Sequence, residues 1–175
     1  MAETFTVGKG FKFGGAAGGP KGFRIESRIG VQAPPEVIWS LVHDLDAWAD
    51  WNPTYPKASG VVRIGELLTL TQALPGRAHR TLRPRVLEWV PNEQLHWRLS
   101  ELAGLARTTG FVEIEKLADA SCIVSSGELS EGFLAPFVVH AKETRRGLRA
   151  MNEALKAAAE AAWKSQAAAP TSGAR

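Results

Sequence analysis

Residues 33–53 read APPEVIWSLVHDLDAWADWNP and residues 82–98 read LRPRVLEWVPNEQLHWR. Their apolar residues follow different periods, and that difference decides the fold. In the first stretch Val37, Ile38, Leu41, Val42 and Leu45 fall on one face of a helix. Pro35 suits the first helical turn, where a missing N–H costs nothing. Asp44 divides the stretch into two short helices. The second runs to about Trp51, and Asn52-Pro53 stops it, because the residue before a proline avoids the helical region. In the second stretch the apolar residues alternate, as they do in a half-buried strand. PNEQ (91–94) is a turn there, and LHWRLSEL (95–102) pairs back across it.

The same two periods account for the rest of the chain. FRIESRIGVQA (23–33) reads as the first strand, with Phe23, Ile25, Ile29 and Val31 set among polar residues. VVRIGELLTLTQAL (61–74) reads as two strands with a turn around Gly65. RTTGFVEIEKL (107–117) and SCIVSSGELSEG (121–132) form a long hairpin about ADAS (118–121). Short connections of this kind favour antiparallel neighbours. From Pro136 the period is helical again. Phe137, Ala141, Thr144, Leu148, Met151, Leu155, Ala158 and Ala162 make one stripe along a long helix. A narrow stripe on a long helix needs a concave partner, and a strongly bent sheet supplies one. The expected class is α+β, with a curved antiparallel sheet around the last helix and apolar space between them.

Composition sets outer bounds. The 175 residues suit one domain with a tail at each end: a Gly-rich arm over 1–22, a body over 23–164 and a frayed tail over 165–175. The formal charge of +3 is mild, and no basic block is interleaved with aromatics, so nucleic acid is not an expected partner. No run approaches the roughly 18 apolar residues of a membrane span. The single cysteine, Cys122, excludes an internal disulfide and reads as a small buried residue. The reading is of a cytoplasmic protein without stable membrane insertion, a monomer or homodimer. The GGAAGGPKG run (14–22) has no preceding strand and no Gly-Lys-Ser/Thr ending, so it is not a phosphate loop.

Chemistry is sparser. His43, His79, His96 and His140 have no metal-ligand spacing, so neither a metal nor a cofactor is expected. His96 alternates with Leu95 and Trp97 and should point away from the core. Val124, Ser126, Glu128 and Ser130 share one face of their strand. If that face is concave, Glu128 lies in or at the mouth of the cavity, where burial would raise its pKa and suit it to general acid or base work. Glu88 is a weaker parallel near a strand end. The expected ligand-binding lining comprises Leu70, Gln72, Leu82, Val86, Leu95, Trp97, Leu99, Thr109, Ser126, Phe137, Leu148 and Met151. Trp39, Trp48 and Trp51 gather in the helix pair, where Trp51 and Tyr55 either close a lid or pack the helices to the sheet.

Several pieces taken in order carry a family resemblance: APPEVIWSLVHDLDAWADWNP, VRIGELLTL (62–70), PGRAHRTLRPRVLEWVPNEQLHWR (75–98) and GELSEGFLAPFV (127–138). Over residues 23 to 163 the chain resembles the START-like, or SRPBCC, superfamily, and within it the polyketide cyclase/dehydratase-like group. The resemblance implies a helix-grip fold, with a seven-stranded antiparallel sheet around the last helix and two small helices closing one end. Relatives carry a His near Thr109 and another near Ser126. Thr and Ser at those places remove two imidazoles from acid/base chemistry. The expected function is binding of a hydrophobic or amphipathic small molecule, such as a lipid, polyketide or similar metabolite, in an internal cavity. The alternative is a polyketide cyclase, aromatase or dehydratase with Glu128 moving protons. A third reading, an interaction module, would use residues 1–22 and the Ala-rich helix end.

Overall fold

A computed structural model describes residues 22–168, so most of the expected arm and the end of the tail lie outside the described residues. Strand β1 (Phe23–Val31) leads to helices α1 (Pro35–His43) and α2 (Trp48–Trp51). Six strands follow: β2 (Lys57–Ser59), β3 (Thr69–Gln72), β4 (Arg80–Leu82), β5 (Arg85–Val90), β6 (Gln94–Glu101) and β7 (Ala106–Ala118). Strand β8 (Ser121–Glu131), a short helix α3 (Ala135–Val138) and the long α4 (Ala141–Ala168) complete the body. Helix α4 runs past the expected boundary at residue 164.

Every strand pairing is antiparallel. One sheet runs β1-β8-β7-β6-β5 and the other β2-β3-β4. The expected count of seven strands thus becomes eight pieces, for a local reason. Pro84 has no N–H to donate, so the ladder lapses between β4 and β5. The backbone still bridges the gap: Leu68 N donates to the Pro84 carbonyl at 2.8 Å, and Val86 N donates to the Glu66 carbonyl at 2.9 Å. Residues 80–90 therefore act as one bent strand that pairs first with β3 and then with β6. Counted that way, the seven-stranded helix-grip layout is present.

Two expected elements differ. VVRI (61–64) is a loop, with Val61 and Ile64 exposed, and the first strand of that pair is β2 instead. Gly60 explains the shift. Its φ of +130° turns the chain, and a side chain there would crowd Leu68 and the Leu67 carbonyl. The final helix is also interrupted. Pro136 sits in the first turn of the one-turn α3, and the chain becomes extended at Val139 before α4 begins.

Helix α4 lies in the concavity and is tied to β1. Asn152 Nδ2 donates to the Ser27 carbonyl at 2.9 Å, Lys156 Nζ to the Gly30 carbonyl at 2.7 Å, and Gln32 N to Glu160 Oε1 at 2.9 Å. Its buried stripe is Thr144, Gly147, Leu148, Met151, Asn152, Leu155 and Ala159. Ala141 is exposed and Ala158 only half-buried, so the stripe drifts from the expected one. The core against it contains Leu70, Val86, Leu95, Val112 and Val124.

Candidate functional site

Glu128 is the centre of the polar end of the concavity. It faces Gly110 across the β7–β8 ladder. The missing side chain at Gly110 leaves room for Trp97, whose ring lies so close that a Cβ at residue 110 would meet it at 2.5 Å. Glu128 Oε1 accepts from Tyr55 Oη at 3.4 Å and from Gln72 Nε2 at 3.2 Å. Gln72 is itself oriented by Arg80, whose Nε donates to Gln72 Oε1 at 3.0 Å. Arg80 Nη1 donates to Glu101 Oε1, also at 3.0 Å. Tyr55 is positioned by a turn: Asn52 Oδ1 accepts from the backbone N–H groups of Thr54 and Tyr55 at 3.0 and 2.9 Å. Thr54 Oγ1 then donates to the Gly147 carbonyl at 2.7 Å, which fixes that turn to α4.

Burial pushes the Glu128 carboxyl above the usual carboxylate range. The Arg80 charge and the hydrogen bonds from Tyr55 and Gln72 pull the other way without overcoming it, and the Glu101 charge adds to the rise. The Tyr55 phenol is held far above its ordinary range, first by burial and then by the Glu128 charge. Tyr55 therefore stays a hydrogen-bond donor and positions Glu128, while Glu128 is the group whose proton can be exchanged.

The pocket has two parts. An inner chamber of about 20 Å³ is lined by Tyr55, Gln72, Leu82, Pro84, Trp97, Leu99, Thr108, Gly110, Glu128 and Ser130, together with Val138, His140 and Thr144. That space holds about one water. An outer basin of about 370 Å³ shares Gln72, Leu74, Arg80 and His140 with it and adds Gly76, Arg77 and Ala78. The expected spacious apolar cavity is thus filled. Trp48, Tyr55 and Trp97 occupy it as a cluster with ring centroids 5.8–6.2 Å apart. Trp48 and Tyr55 are buried packing residues, and Trp48 Nε1 donates to the Val42 carbonyl at 3.1 Å.

Of the residues expected to line a cavity, Gln72, Leu82, Trp97, Leu99 and Glu128 meet at the chamber. Leu70, Val86, Leu95, Leu148 and Met151 are solid core. Ser126 is fully buried and donates to Asn152 Oδ1 at 2.7 Å, so it serves the grip on α4. Two placements are corrected. Thr109 lies on the convex face, where its hydroxyl accepts from Arg98 Nε at 3.3 Å, and Thr108 faces the chamber instead. Phe137 is 75% exposed, because α3 breaks before α4 and turns it outward. Glu88 pairs with His96 after a β-bulge, away from the chamber. His96 does point away from α4, yet it is buried, with Nε2 3.1 Å from Glu113 Oε1. The sequence reading missed Arg80 and Tyr55 as polar members of the site. Arg80 shares its strand face with Leu82 and Pro84, a signal the alternation carried. Tyr55 sits in a turn without periodicity. Among the described residues no three His, Cys, Asp or Glu side chains converge as a metal site requires.

Comparisons with known proteins bear on this geometry. A search among curated proteins found no match. Solved structures share the fold at low identity. A di-domain aromatase/cyclase from the steffimycin biosynthetic pathway superposes with a TM-score of 0.60 at 14% identity, over 83% of this chain and 52% of that one. This chain thus spans about half of that di-domain protein. A START superfamily protein from Mycobacterium smegmatis gives 0.58 at 19% identity, over 82% and 98%. Norcoclaurine synthase from Thalictrum flavum, solved with dopamine and hydroxybenzaldehyde, gives 0.59 at 17% identity, over 78% and 86%. The sequence profile of one family matches residues 22–160, nearly the whole described body. With its helix-grip fold and that match, the chain belongs to the polyketide cyclase / dehydrase and lipid transport family.

Proposed function

We propose that this chain binds a small organic molecule in the outer basin and takes its polar end into the chamber at Glu128. The observation that carries this is a carboxyl of raised proton affinity lining a chamber that shares Gln72, Leu74, Arg80 and His140 with a basin of about 370 Å³. That volume is in the range of small-molecule sites. A protonated Glu128 donates to a carbonyl or hydroxyl oxygen, and Arg77, Arg80 and His140 at the basin favour a ligand that is polar or anionic at that end. Leu74 and Ala78 are the apolar members of the basin lining, and Leu82 and Leu99 flank Glu128 in the chamber. A long lipid buried in the interior is disfavoured, since it would have to displace the Trp48–Tyr55–Trp97 cluster.

The same carboxyl favours a second reading, a cyclase- or dehydratase-type reaction. A carboxyl whose proton affinity is raised by burial can act first as base and then, once protonated, as acid. On a β-hydroxy carbonyl compound, ionised Glu128 takes the proton from the carbon next to the carbonyl. The protonated carboxyl then returns it to the departing hydroxyl, which leaves as water. Membership of a family described by cyclases and dehydrases supports this reading, as does the likeness to an aromatase/cyclase.

Native mass spectrometry of gently purified protein tests the first reading. A copurified metabolite that Arg80→Ala releases supports it. A metabolite that stays bound in that variant places the ligand elsewhere. Glu128→Gln separates the two readings once a ligand is in hand. Retained binding with turnover reduced by about 10²-fold or more supports proton transfer, and unchanged turnover removes Glu128 from the chemistry.

A further inference from the structure

The end of the molecule around the basin carries a surface that the pocket does not explain. Four large apolar side chains stand out in water there: Phe133 at 82% exposure, Phe137 at 75%, and Leu102 and Leu105 near half. They come from two loops joined into one tip. Leu134 N donates to the Leu105 carbonyl at 3.1 Å, and Gly132, with φ +111°, sits too close to that carbonyl for any side chain. The β6–β7 loop holds Leu102 and Ala103 at positive φ, a conformation that disfavours side-chain-bearing residues. The tip adjoins the pocket mouth. Glu101, before Leu102, holds Arg80, and Val138, after Phe137, lines the chamber.

Charge follows directly in the chain. Lys142, Arg145, Arg146 and Arg149 recur at helical spacing on the first turns of α4 and are exposed, while Thr144, Leu148 and Met151 face the core. Glu143 and Glu153 are the acids of that stretch. Among the described residues none of the four cations takes part in an ion pair.

We propose that this tip is a peripheral docking surface for an anionic lipid bilayer. Protruding phenyl and leucyl groups on loop ends enter the headgroup region without needing a complementary pocket, and the adjacent cations meet the negative surface. A protein partner is the poorer fit, because the core of a protein interface is densely packed and depleted in charge, whereas here separate protruding side chains stand beside four cations without ion-pair partners among the described residues. Docking by this tip would bring the basin and Glu128 to the bilayer surface. Among the described residues no helix is long and apolar enough to cross a membrane, so attachment here is peripheral and reversible.

Cosedimentation of the full chain with vesicles tests the proposal, using phosphatidylcholine alone or with about 30 mol% phosphatidylglycerol. The expected result is salt-sensitive binding to the anionic vesicles and little to the neutral ones. Phe133→Ser with Phe137→Ser should lower partitioning by about tenfold or more. Arg145→Glu with Arg146→Glu should lower it by roughly fivefold or more per cation reversed. All these side chains are exposed, and unchanged melting curves would show that the variants keep the fold. Failure of the full chain to bind anionic vesicles overturns the proposal. So does unaltered binding by the Phe variant, which would assign the attraction to charge alone or to residues 1–21. Retention on polyglutamate without vesicle binding also overturns it and assigns the surface to an acidic protein.

Discussion

The two faces of the β6–β7–β8 ladder are built from the same parts and reach opposite ends. On the concave face Trp97 lies over Gly110, and beside it Glu128 meets the buried Tyr55. On the convex face Phe111 lies over Gly127, and beside it Glu113 meets the buried His96. The partners make the difference. Glu113 sits below the usual carboxylate range, first through its hydrogen bond with His96 and helped by the charges of His96, Arg24 and Arg28, which outweigh its desolvation. Glu128 has donors that are mostly neutral, so burial prevails and its proton is held. Arg24 also stacks over the Phe111 ring at 4.7 Å and covers the convex cluster. The convex carboxylate is a structural contact, while the concave one binds its proton more tightly than usual beside an open basin. An aromatic ring over a glycine is thus a packing device in both places, and only the company of the carboxylate makes one of them a site.

The largest break of this symmetry comes from the rings. Trp97→Ala and Phe111→Ala should each lower unfolding free energy by about 3–5 kcal/mol, read from urea denaturation. The concave truncation should do more. Trp97 lines the chamber and also packs against Trp48, which does not line it, so its loss should open one larger apolar space, and binding of the dye ANS to the folded protein should rise. Phe111→Ala should give no such gain. Equal dye binding by both variants would mean that the concave ring does not partition the interior.

The glycines sharpen the contrast at a smaller scale, about 1–3 kcal/mol each. Gly127→Ala would press a methyl group against both the Phe111 ring and the Ile25 carbonyl oxygen at 2.7 Å, and the backbone cannot yield cheaply. For Gly110→Ala the three nearest atoms all belong to the Trp97 ring, a side chain rather than backbone. Melting curves should therefore rank Gly127→Ala as the more harmful. The reverse order would show that Trp97 is the more rigidly held of the two rings.

How far these two faces were legible beforehand follows from the strand period. Alternation through Val124, Ser126, Glu128 and Ser130 put Glu128 on one face, and the structure makes that face concave, with Ser126 reaching Asn152 on α4. The same rule applied along β7 separates Gly110, Val112 and Ile114 from Thr109, Phe111 and Glu113. Thr109 was assigned to the cavity through likeness to relatives, and the register Arg98↔Thr109 sends it outward. Asn152 stands four residues after Leu148 and was readable as part of the helix face. Other features depend on tertiary contact. Nothing local announces that Trp48, Tyr55 and Trp97, from three separate segments, converge to fill the concavity. Nothing in the stripe of α4 shows that the chain breaks at Val139 and exposes Phe137. Alternation carried LRPRVLEWV through Pro84 as one strand, and whether a sheet continues across a residue without an N–H depends on its neighbours.

The smallest effect, on the order of 1 kcal/mol or less, should appear in the pH dependence of stability, and here the two carboxylates have opposite signs. The folded state binds the Glu128 proton more tightly than the unfolded chain does. Its contribution is therefore full below the ordinary Glu pKa of about 4.3 and is lost as pH rises through the elevated folded value. The folded state binds the Glu113 proton less tightly. That contribution is present above the ordinary carboxylate pKa and is lost as pH falls through the depressed folded value. Melting temperatures followed from about pH 3 to about pH 8 should therefore respond differently to two isosteric changes. Glu128→Gln should flatten the decline toward neutral pH, since it removes a carboxyl that burial penalises once ionised. Glu113→Gln should flatten the decline toward acid, since it removes the charge that His96 stabilises. Parallel profiles for the two variants would mean that both carboxylates hold their protons alike. The concave face would then have lost the property that sets it apart as a site.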